Sequence, residues 1–155
     1  MGMDVHGKNP TTKDGEYLRQ SVWGWRPLAD YACKVAPNIT DRCRYWQTND
    51  GDGLNARDAR RLGERLQEEI DAGRTQLYAE RYHAAQCALP DEDCEVCAGT
   101  GKRKQVPQTG AGTEPCNGCN STGKRRPWET YYPFEVEYVQ EFATFLKVCG
   151  GFEIW

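Results

Sequence analysis

Apolar residues at helical spacing mark the most regular part of the chain, between positions 55 and 73. Leu62, Leu66 and Ile70 recur every fourth residue, so their side chains fall on one face of an α-helix. Asn55 precedes this run and can cap the helix with its side-chain oxygen, and Gly73 follows as a helix-ending residue. The pattern therefore predicts a helix from about Asn55 to Gly73.

A second apolar stripe follows directly and predicts a helix from about Thr75 to Ala88. The residues on its apolar face are Tyr78, Tyr82, Ala85 and Leu89. Two helices joined by so short a connection are expected to pack as an αα-hairpin. Pro90 and the acidic residues after it mark the end of this helical region.

The third helix is predicted near the end of the chain, from Phe134 to Cys149. Its apolar stripe consists of Val139, Phe142, Phe145, Leu146, Val148 and Cys149. Gly150 and Gly151 end this helix, and residues 152–155 are expected to form a final edge strand.

The first third of the chain has weaker patterns. Met3 to His6 is a short candidate strand, followed by a turn-rich stretch. Pro27 suits the first position of a helix that runs to about Ala36, where Pro37 ends it. Residues 48–53 are typical of a turn. Together these elements predict an α+β fold that is mainly helical, in a single domain spanning residues 1–155.

Composition agrees with a soluble globular protein. Hydrophobic residues make up 38% of the chain and the net charge is −3, which excludes the disordered and membrane classes. No apolar run approaches the roughly 18 residues that cross a bilayer, so no membrane contact is expected. Four cysteines at irregular spacing suggest reduced thiols and a cytoplasmic location. They are Cys33, Cys43, Cys87 and Cys149.

Two Cys-x-x-Cys pairs carry the clearest chemical signal of the sequence. They are Cys94 with Cys97 and Cys116 with Cys119, separated by residues 98–115. Zinc prefers four soft ligands at tetrahedral corners, and two tight turns with two thiolates each supply them. We therefore predict one zinc ion at these four cysteines. Disulfide bonds or a redox-active pair are the alternatives, although turn residues surround both pairs, unlike the strand–helix junction of redox motifs.

A site with four cysteine ligands has no open position at which water could be activated, so the zinc is expected to be structural. We predict that residues 91–127 form a zinc hairpin inserted between two core helices. A loop of this length needs its own stabiliser, and the metal would provide it. No catalytic residue is predicted.

Each cysteine pair continues into a similar glycine-containing segment. Cys94, Cys97, Gly99 and Gly101 follow the pattern Cys-x-x-Cys-x-Gly-x-Gly, whereas the second copy has Ser121 in place of the first glycine. Residues 94–124 therefore resemble half of the cysteine-rich domain of DnaJ-type chaperones. The resemblance implies one zinc ion instead of two. Co-chaperone activity is not implied, because the chain lacks the His-Pro-Asp tripeptide of a J-domain. The two ends of the chain are also similar to small bacteriophage and bacterial proteins, which implies no activity.

Basic residues cluster beside the cysteine pairs. They are Lys102, Arg103, Lys104, Lys124, Arg125 and Arg126. Only two acidic residues lie between Cys94 and Arg126, so this segment has a formal charge of +4 and the rest of the chain −7. The cluster can contact phosphates or stabilise the thiolates. We favour the second interpretation because the remaining chain is acidic and would repel a polyanion. Trp128, beside Arg126 and Pro127, is a candidate for a protein interface or for packing the segment down.

Other motifs are weaker. Residues 118–124 resemble a phosphate-binding loop, but Arg125 stands where a hydroxyl is needed. Residues 49–58 resemble a calcium-binding EF-hand loop, but Gln47 and Gly51 would occupy ligand positions. His6 lies two residues after Asp4, and His83 lies one helical turn before Cys87, so each is a candidate for chemistry.

The sequence thus favours a non-enzymatic, zinc-stabilised protein that binds another protein, with a bacteriophage or accessory-gene modulator of a host machine as a compatible role. The alternative is a nucleic-acid-binding zinc-finger protein that uses the basic residues. An enzyme that uses His6 or His83 is the least favoured reading.

Overall fold

The computed structural model of the chain describes residues 2–155, which divide into two compact units. The first unit contains the residues up to His83 together with Tyr132–Trp155, and the second contains Ala84–Tyr131. The expectation of one domain with an insertion at residues 91–127 stays a prediction.

The helices and strands alternate irregularly along the chain. In order they are β1 Gly2–Gly7, β2 Tyr17–Ser21, α1 Val22–Val35, α2 Pro37–Thr40, β3 Asp52–Asn55, α3 Ala56–Asp71, α4 Arg74–Ala88, β4 Glu92–Asp93, β5 Lys102–Arg103, β6 Glu114–Pro115, β7 Lys124–Arg125, α5 Val136–Val148 and β8 Gly151–Ile154. Short 3-10 helices lie at Lys13–Gly15 and Trp128–Tyr131. The fold is α+β, as predicted. No helix in residues 2–155 is both long and apolar enough to cross a membrane.

The core of the first unit lies between its sheet and helices α1, α3 and α5. Phe142 on α5 is fully buried, and its ring contacts Trp25 on α1 and Phe152 on β8 at centroid distances of 5.4 and 6.0 Å. Leu62 and Leu66 of the predicted stripe are also fully buried on α3. The predicted cap is confirmed, because the Asn55 side chain accepts a hydrogen bond from the Asp58 N–H at 2.9 Å.

The predicted αα-hairpin is not the packing found. α3 packs mainly along α5, and the only fully buried residue of α4 is Thr75. Gly73, with φ of 71°, turns the chain between α3 and α4. The apolar face of α4 consists of tyrosines and alanines, and it does not bury itself against α3.

The four-stranded antiparallel sheet has the order β2-β1-β8-β3. Strand β8 was predicted as an edge strand, but it lies between β1 and β3. It is inside the sheet because residues 52–55 form the strand that covers its outer edge. The sequence predicts a turn over residues 48–53 and a helix cap at Asn55, and no strand there.

Helix α1 begins earlier than predicted. Ser21 caps it by accepting a hydrogen bond from the Gly24 N–H at 3.1 Å, so Pro27 lies inside the helix and not at its first position. The proline removes one backbone hydrogen bond. Complete burial of Trp25, Leu28 and Ala29 around it offsets that loss.

Candidate metal centre

The four predicted ligand cysteines lie together in the second unit. Their sulfur atoms are all within 4.8 Å of one another, and each side chain is at most 7% exposed. Across the two pairs, the Cys94 and Cys116 sulfurs are 3.9 Å apart, and those of Cys97 and Cys119 are 3.7 Å apart. These separations far exceed a disulfide bond of about 2.0 Å. They match the spacing of about 3.8 Å expected around a tetrahedral ion with metal–sulfur bonds of about 2.3 Å. The donor set therefore fits a metal ion.

The two cysteine turns are near-copies that hold each other in place. The N–H of Cys94 donates to the carbonyl of Gly123 at 2.9 Å, and the N–H of Cys116 donates to the carbonyl of Gly101 at 3.0 Å. The flanking strands repeat this exchange, since β4 pairs with β7 and β5 pairs with β6. Each turn thus depends on the other, so the four sulfurs converge only when both have formed.

Gly101 and Gly123 bring backbone N–H groups to the sulfurs. The Gly101 N–H donates to the Cys97 sulfur at 3.3 Å, and the Gly123 N–H donates to the Cys119 sulfur at 3.2 Å. Both glycines have positive φ, at 75° and 79°. A Cβ on Gly101 would lie 2.4 Å from a backbone oxygen of the opposite turn, and one on Gly123 would lie 2.2 Å from its counterpart. Both positions therefore require glycine.

Two threonines complete the turns, and the sequence interpretation missed them. The hydroxyl of Thr100 donates to the Cys97 carbonyl at 2.8 Å, and that of Thr122 donates to the Cys119 carbonyl at 2.7 Å. Each hydroxyl also accepts a hydrogen bond from the N–H two residues later. The repeated Thr-Gly-Lys string was the signal that could have identified them.

Ser121 is where the second turn departs from the glycine pattern. It adopts φ of 63°, close to the 76° of its counterpart Gly99. Its N–H donates to the Cys116 carbonyl at 2.9 Å, as the Gly99 N–H does to Cys94 at 3.1 Å. The backbone is the same in both turns, so the serine occupies a left-handed conformation that glycine would adopt more readily.

The thiols of the second pair differ in their pKa values. Burial, together with hydrogen bonds with neighbouring thiols, raises the pKa of Cys116 to about 11. Burial also raises the pKa of Cys119, but the Gly123 N–H and the other thiols outweigh it and lower this pKa to about 7. A cation bound by all four sulfurs would displace the thiol protons, because thiolates are the metal-binding form of cysteine.

Three of the six basic side chains contact other groups of the second unit. Lys124 pairs with Asp93 at 2.6 Å, and Asp93 holds the pKa of Lys124 above its ordinary value. Arg126 pairs with Asp91 at 2.9 Å and donates to the carbonyls of Leu89 and Gln86 at 2.8 and 2.7 Å. The acidic run before the first cysteine pair therefore faces the basic run after the second.

Arg103 is the third of these side chains. Its guanidinium donates to the Asn117 side chain at 2.7 Å and to the Gln108 carbonyl at 3.2 Å, which braces the loop between β5 and β6. Lys102 and Lys104 are exposed, and Arg125 is half-buried. The predicted basic cluster is therefore divided between internal contacts and exposed charges.

Exposed apolar side chains also lie in the second unit. Trp128 is 56% exposed and its ring lies 5.8 Å from that of Tyr131, which is 46% exposed. Both residues lie in the short 3-10 helix Trp128–Tyr131. The Gln86 side chain donates to the Glu129 carbonyl of this helix at 2.8 Å and holds it in place. Val106, at the tip of the loop between β5 and β6, is 70% exposed.

Residues of the weaker candidate motifs make structural contacts. Gly118 of the phosphate-loop string lies where a Cβ would be 2.9 Å from Val96, so it serves close packing. In the EF-hand-like segment, Asp52 accepts hydrogen bonds from the N–H groups of Arg44 and Tyr45 at 2.6 and 3.1 Å. Among residues 2–155, the four cysteines are the only group of three or more His, Cys, Asp or Glu side chains placed closely enough to hold a metal ion.

The two histidines are both exposed. The ring of His6, on β1, lies 5.1 Å from the ring of Tyr17 on the neighbouring strand. The Tyr17 hydroxyl donates to Asp4, which raises the tyrosine pKa. His83 and Cys87 both lie on α4.

Comparison with protein-family models, curated proteins and solved structures gives no match for this chain. Four neighbouring cysteines do not by themselves identify a DnaJ-type domain, so that resemblance stays a hypothesis.

Proposed function

We propose that the protein is a non-enzymatic binding protein in which one zinc ion, held by Cys94, Cys97, Cys116 and Cys119, stabilises a surface that engages another protein. The partner would contact the second unit around Trp128. A cytoplasmic role as a bacteriophage or accessory-gene modulator of a host machine is compatible with this function, and so is a zinc turn of the DnaJ type.

The chemistry of the donor set supports a structural zinc ion. Four buried sulfurs at tetrahedral spacing, with N–H groups donating to two of them, suit a borderline-soft cation that thiolates bind well. Four protein ligands leave no coordination position for substrate or water. The metal would therefore maintain the surface and take no part in a reaction.

The contacts of the basic side chains favour a protein partner over a nucleic acid, and this observation carries the proposal. Arg103, Lys124 and Arg126 donate to side chains and carbonyls of their own unit, so their contribution to a phosphate footprint is reduced. Aromatic side chains are exposed nearby, and tryptophan is enriched among the residues that dominate protein interfaces.

Co-purification with site-directed variants tests the proposal. A partner captured by the wild-type protein should bind the Trp128→Ala variant at least about 30-fold more weakly, the effect of losing about 2 kcal/mol at an interface hot spot. Trp155→Ala is the matched control, because that tryptophan is 53% exposed and lies in the first unit. Equal capture by all three proteins would contradict a binding role for Trp128.

Competition by DNA and RNA tests the nucleic-acid alternative, which the exposed Lys102 and Lys104 support. We expect neither DNA nor RNA to displace the captured partner. Submicromolar binding of the wild-type protein to either polymer, lost with rising salt and in the variant combining Lys102→Ala, Lys104→Ala and Arg125→Ala, would establish the alternative instead.

A further inference from the structure

We propose that the first unit also contains a pocket for a small ligand with a flat apolar body and one anionic group. The pocket lies between the second half of α1 and the first two turns of α4, and its volume is about 440 Å³. Ligand pockets of proteins fall in a range of about 300–1,000 Å³. This site is separate from the cysteine cluster and does not depend on the function proposed for it.

Tyrosine rings form the apolar wall of the pocket. The rings of Tyr31 and Tyr78 are 4.7 Å apart, and those of Tyr78 and Tyr82 are 6.1 Å apart and stacked. Phe134 supports all three from behind, at centroid distances of 5.1, 4.8 and 5.9 Å. A planar molecule can stack or pack edge-on against such a wall.

Hydrogen bonds fix the wall before any ligand binds. The Tyr31 hydroxyl shares a hydrogen bond of 2.9 Å with the buried Thr75 hydroxyl. The Tyr82 hydroxyl donates to the carbonyl of Tyr132 at 2.8 Å. Rings held in this way lose little freedom on binding, which lowers the entropic cost of complex formation.

The charged side chains that line the pocket are mainly positive. Beyond them, Asp30 lies near enough for its charge to raise the pKa values of Tyr78 and Tyr82. Lys34, Arg74 and Arg81 line it together with one carboxylate, that of Glu69. Glu69 is already neutralised, because Arg74 binds it with two hydrogen bonds of 2.8 and 3.0 Å and Arg65 forms a second ion pair with it. The remaining charge therefore comes from the two other cations.

Lys34 and Arg81 are available to a ligand. Within the described chain, residues 2–155, no carboxylate lies within ion-pairing distance of either side chain. The Lys34 ammonium lies 4.9 Å from the centre of the Tyr78 ring, so a cation stands directly at the aromatic wall. An aromatic anion would satisfy both features at once, since its ring covers the wall and its charge meets the cations.

The apolar face of α4 is incompletely covered by the protein itself. Leu77 stands at the pocket with 45% of its surface exposed, and Tyr78 and Tyr82 are only half-buried. The spacing of Tyr78 and Tyr82 predicts a buried helix face, yet α3 and α5 pack on each other instead. A bound apolar body would complete this burial.

Two dyes of nearly equal shape test the pocket in the full-length protein. Anilinonaphthalene sulfonate carries an anionic group on an aromatic body, and N-phenylnaphthylamine has a closely similar body without the charge. We expect the anionic dye to saturate at one molecule per chain in a fluorescence titration. Magnetisation transfer in NMR spectra should connect its rings to the methyl groups of Leu77.

Charge-removing variants complete the test. Combining Lys34→Gln with Arg81→Gln should weaken binding of the anionic dye at least about tenfold, because charge-assisted contacts are lost. The neutral dye should change by less than about twofold, and Arg57→Gln, an exposed arginine elsewhere on α3, should change neither. Both variants have surface substitutions, so circular dichroism should remain that of the wild type. Absence of saturable binding, equal weakening of both dyes, or no contact with Leu77 would overturn the proposal.

Discussion

The first unit fully buries large side chains such as Trp25, Phe142 and Phe152, whereas the second unit has a very different interior. Within the described part of the chain, the buried apolar cluster of the second unit consists of its four cysteines, with Val96 partly buried against them. Burial of apolar surface can therefore stabilise the first unit by itself. The second unit has too little such surface. Small units of this kind usually depend on a bound metal, disulfide bonds or oligomerisation.

The two units also differ in how strictly the sequence must be kept. A core of many interlocking side chains tolerates exchanges that conserve its volume. At the cysteine cluster, each thiol is one of four ligands, and Gly101 and Gly123 approach the opposite backbone too closely for any other residue. The second unit is thus specified by a few residue types at fixed spacing, and the first by a distributed pattern.

Loss of the metal ligands should produce the largest difference in stability between the two units. Replacing both Cys94→Ser and Cys97→Ser should reduce the metal content from about one ion per chain to none and remove hydrogen-exchange protection in residues 84–131. Most of the helical circular dichroism should remain, because the helices of the first unit pack on their own core. Elemental analysis and exchange mass spectrometry measure both effects.

Cys33→Ser is the control for this change, since Cys33 is a half-buried thiol outside the cluster. It should keep the metal and the protection pattern. Disappearance of the entire helical signal after metal loss would show that the first unit also depends on the ion.

A cavity in the hydrophobic core should produce the opposite result. Phe142→Ala removes a completely buried ring and should lower the free energy of unfolding of the first unit by about 3–5 kcal/mol. Urea titration followed by circular dichroism measures the loss. Metal content under native conditions should be unchanged, and Tyr45→Ala, at a tyrosine that is 53% exposed, should shift stability by about 0.5 kcal/mol or less. Release of the metal by the Phe142 variant would contradict independent stabilisation.

Acid should weaken the first unit through Asp58, which is completely buried at the start of α3. Burial raises the pKa of its carboxyl, but hydrogen bonds from Asn55 and Arg42 and the charges of Arg42 and Arg61 outweigh this and lower the pKa. A lowered folded-state pKa contributes stability above the unfolded value of about 3.9, and that stability is lost as the pH falls through the folded value.

We therefore expect the free energy of unfolding to decrease below about pH 4, and urea titrations at a series of pH values can measure this. Asp58→Asn should cost about 1–3 kcal/mol at neutral pH and flatten the acidic decrease. An unchanged slope in the variant would show that other carboxylates determine the acid sensitivity, with Glu69 the next candidate because Arg74 lowers its pKa.

The smallest expected effect concerns the serine that stands in the second turn where the first has a glycine. Ser121→Gly removes a side chain from a left-handed position and should stabilise the second unit by about 1 kcal/mol. The reverse change at the equivalent place, Gly99→Ser, should destabilise it by at least as much, because a Cβ there would also lie 2.9 Å from the Asp93 carboxylate. Thermal unfolding of the metal-bound protein measures both. Destabilisation by Ser121→Gly would show that the Ser121 side chain makes a favourable contact that outweighs the backbone cost.

Local patterns in the sequence predicted local structure well. Asn55 caps α3, Leu62 and Leu66 of that helix are fully buried, and the four cysteines of the two pairs lie together. Each of these outcomes depends on residues within a few positions of one another, or on ligands whose chemistry leaves few arrangements. The prediction of Pro27 at the first helical position was wrong, because Ser21, six residues earlier, caps α1.

Arrangements between distant segments could not be predicted in the same way. The short strand at residues 52–55 has little strand character of its own and forms because β8 offers it a hydrogen-bonding edge. The engagement of Arg126 with Asp91 likewise appears only when two ends of a long loop are paired.

By itself, the sequence determined the residue types that can bind a metal, the glycines that the turns require and the apolar stripes of the main helices. These properties follow from side-chain chemistry and from short-range backbone geometry. The tertiary structure alone decided the strand order, the pairing of α3 with α5 and the division of the basic side chains between internal contacts and solvent. It also left the tyrosine face of α4 open beside Lys34 and Arg81. Such outcomes depend on which surfaces compete for burial once the chain is folded, and no single segment encodes the result of that competition.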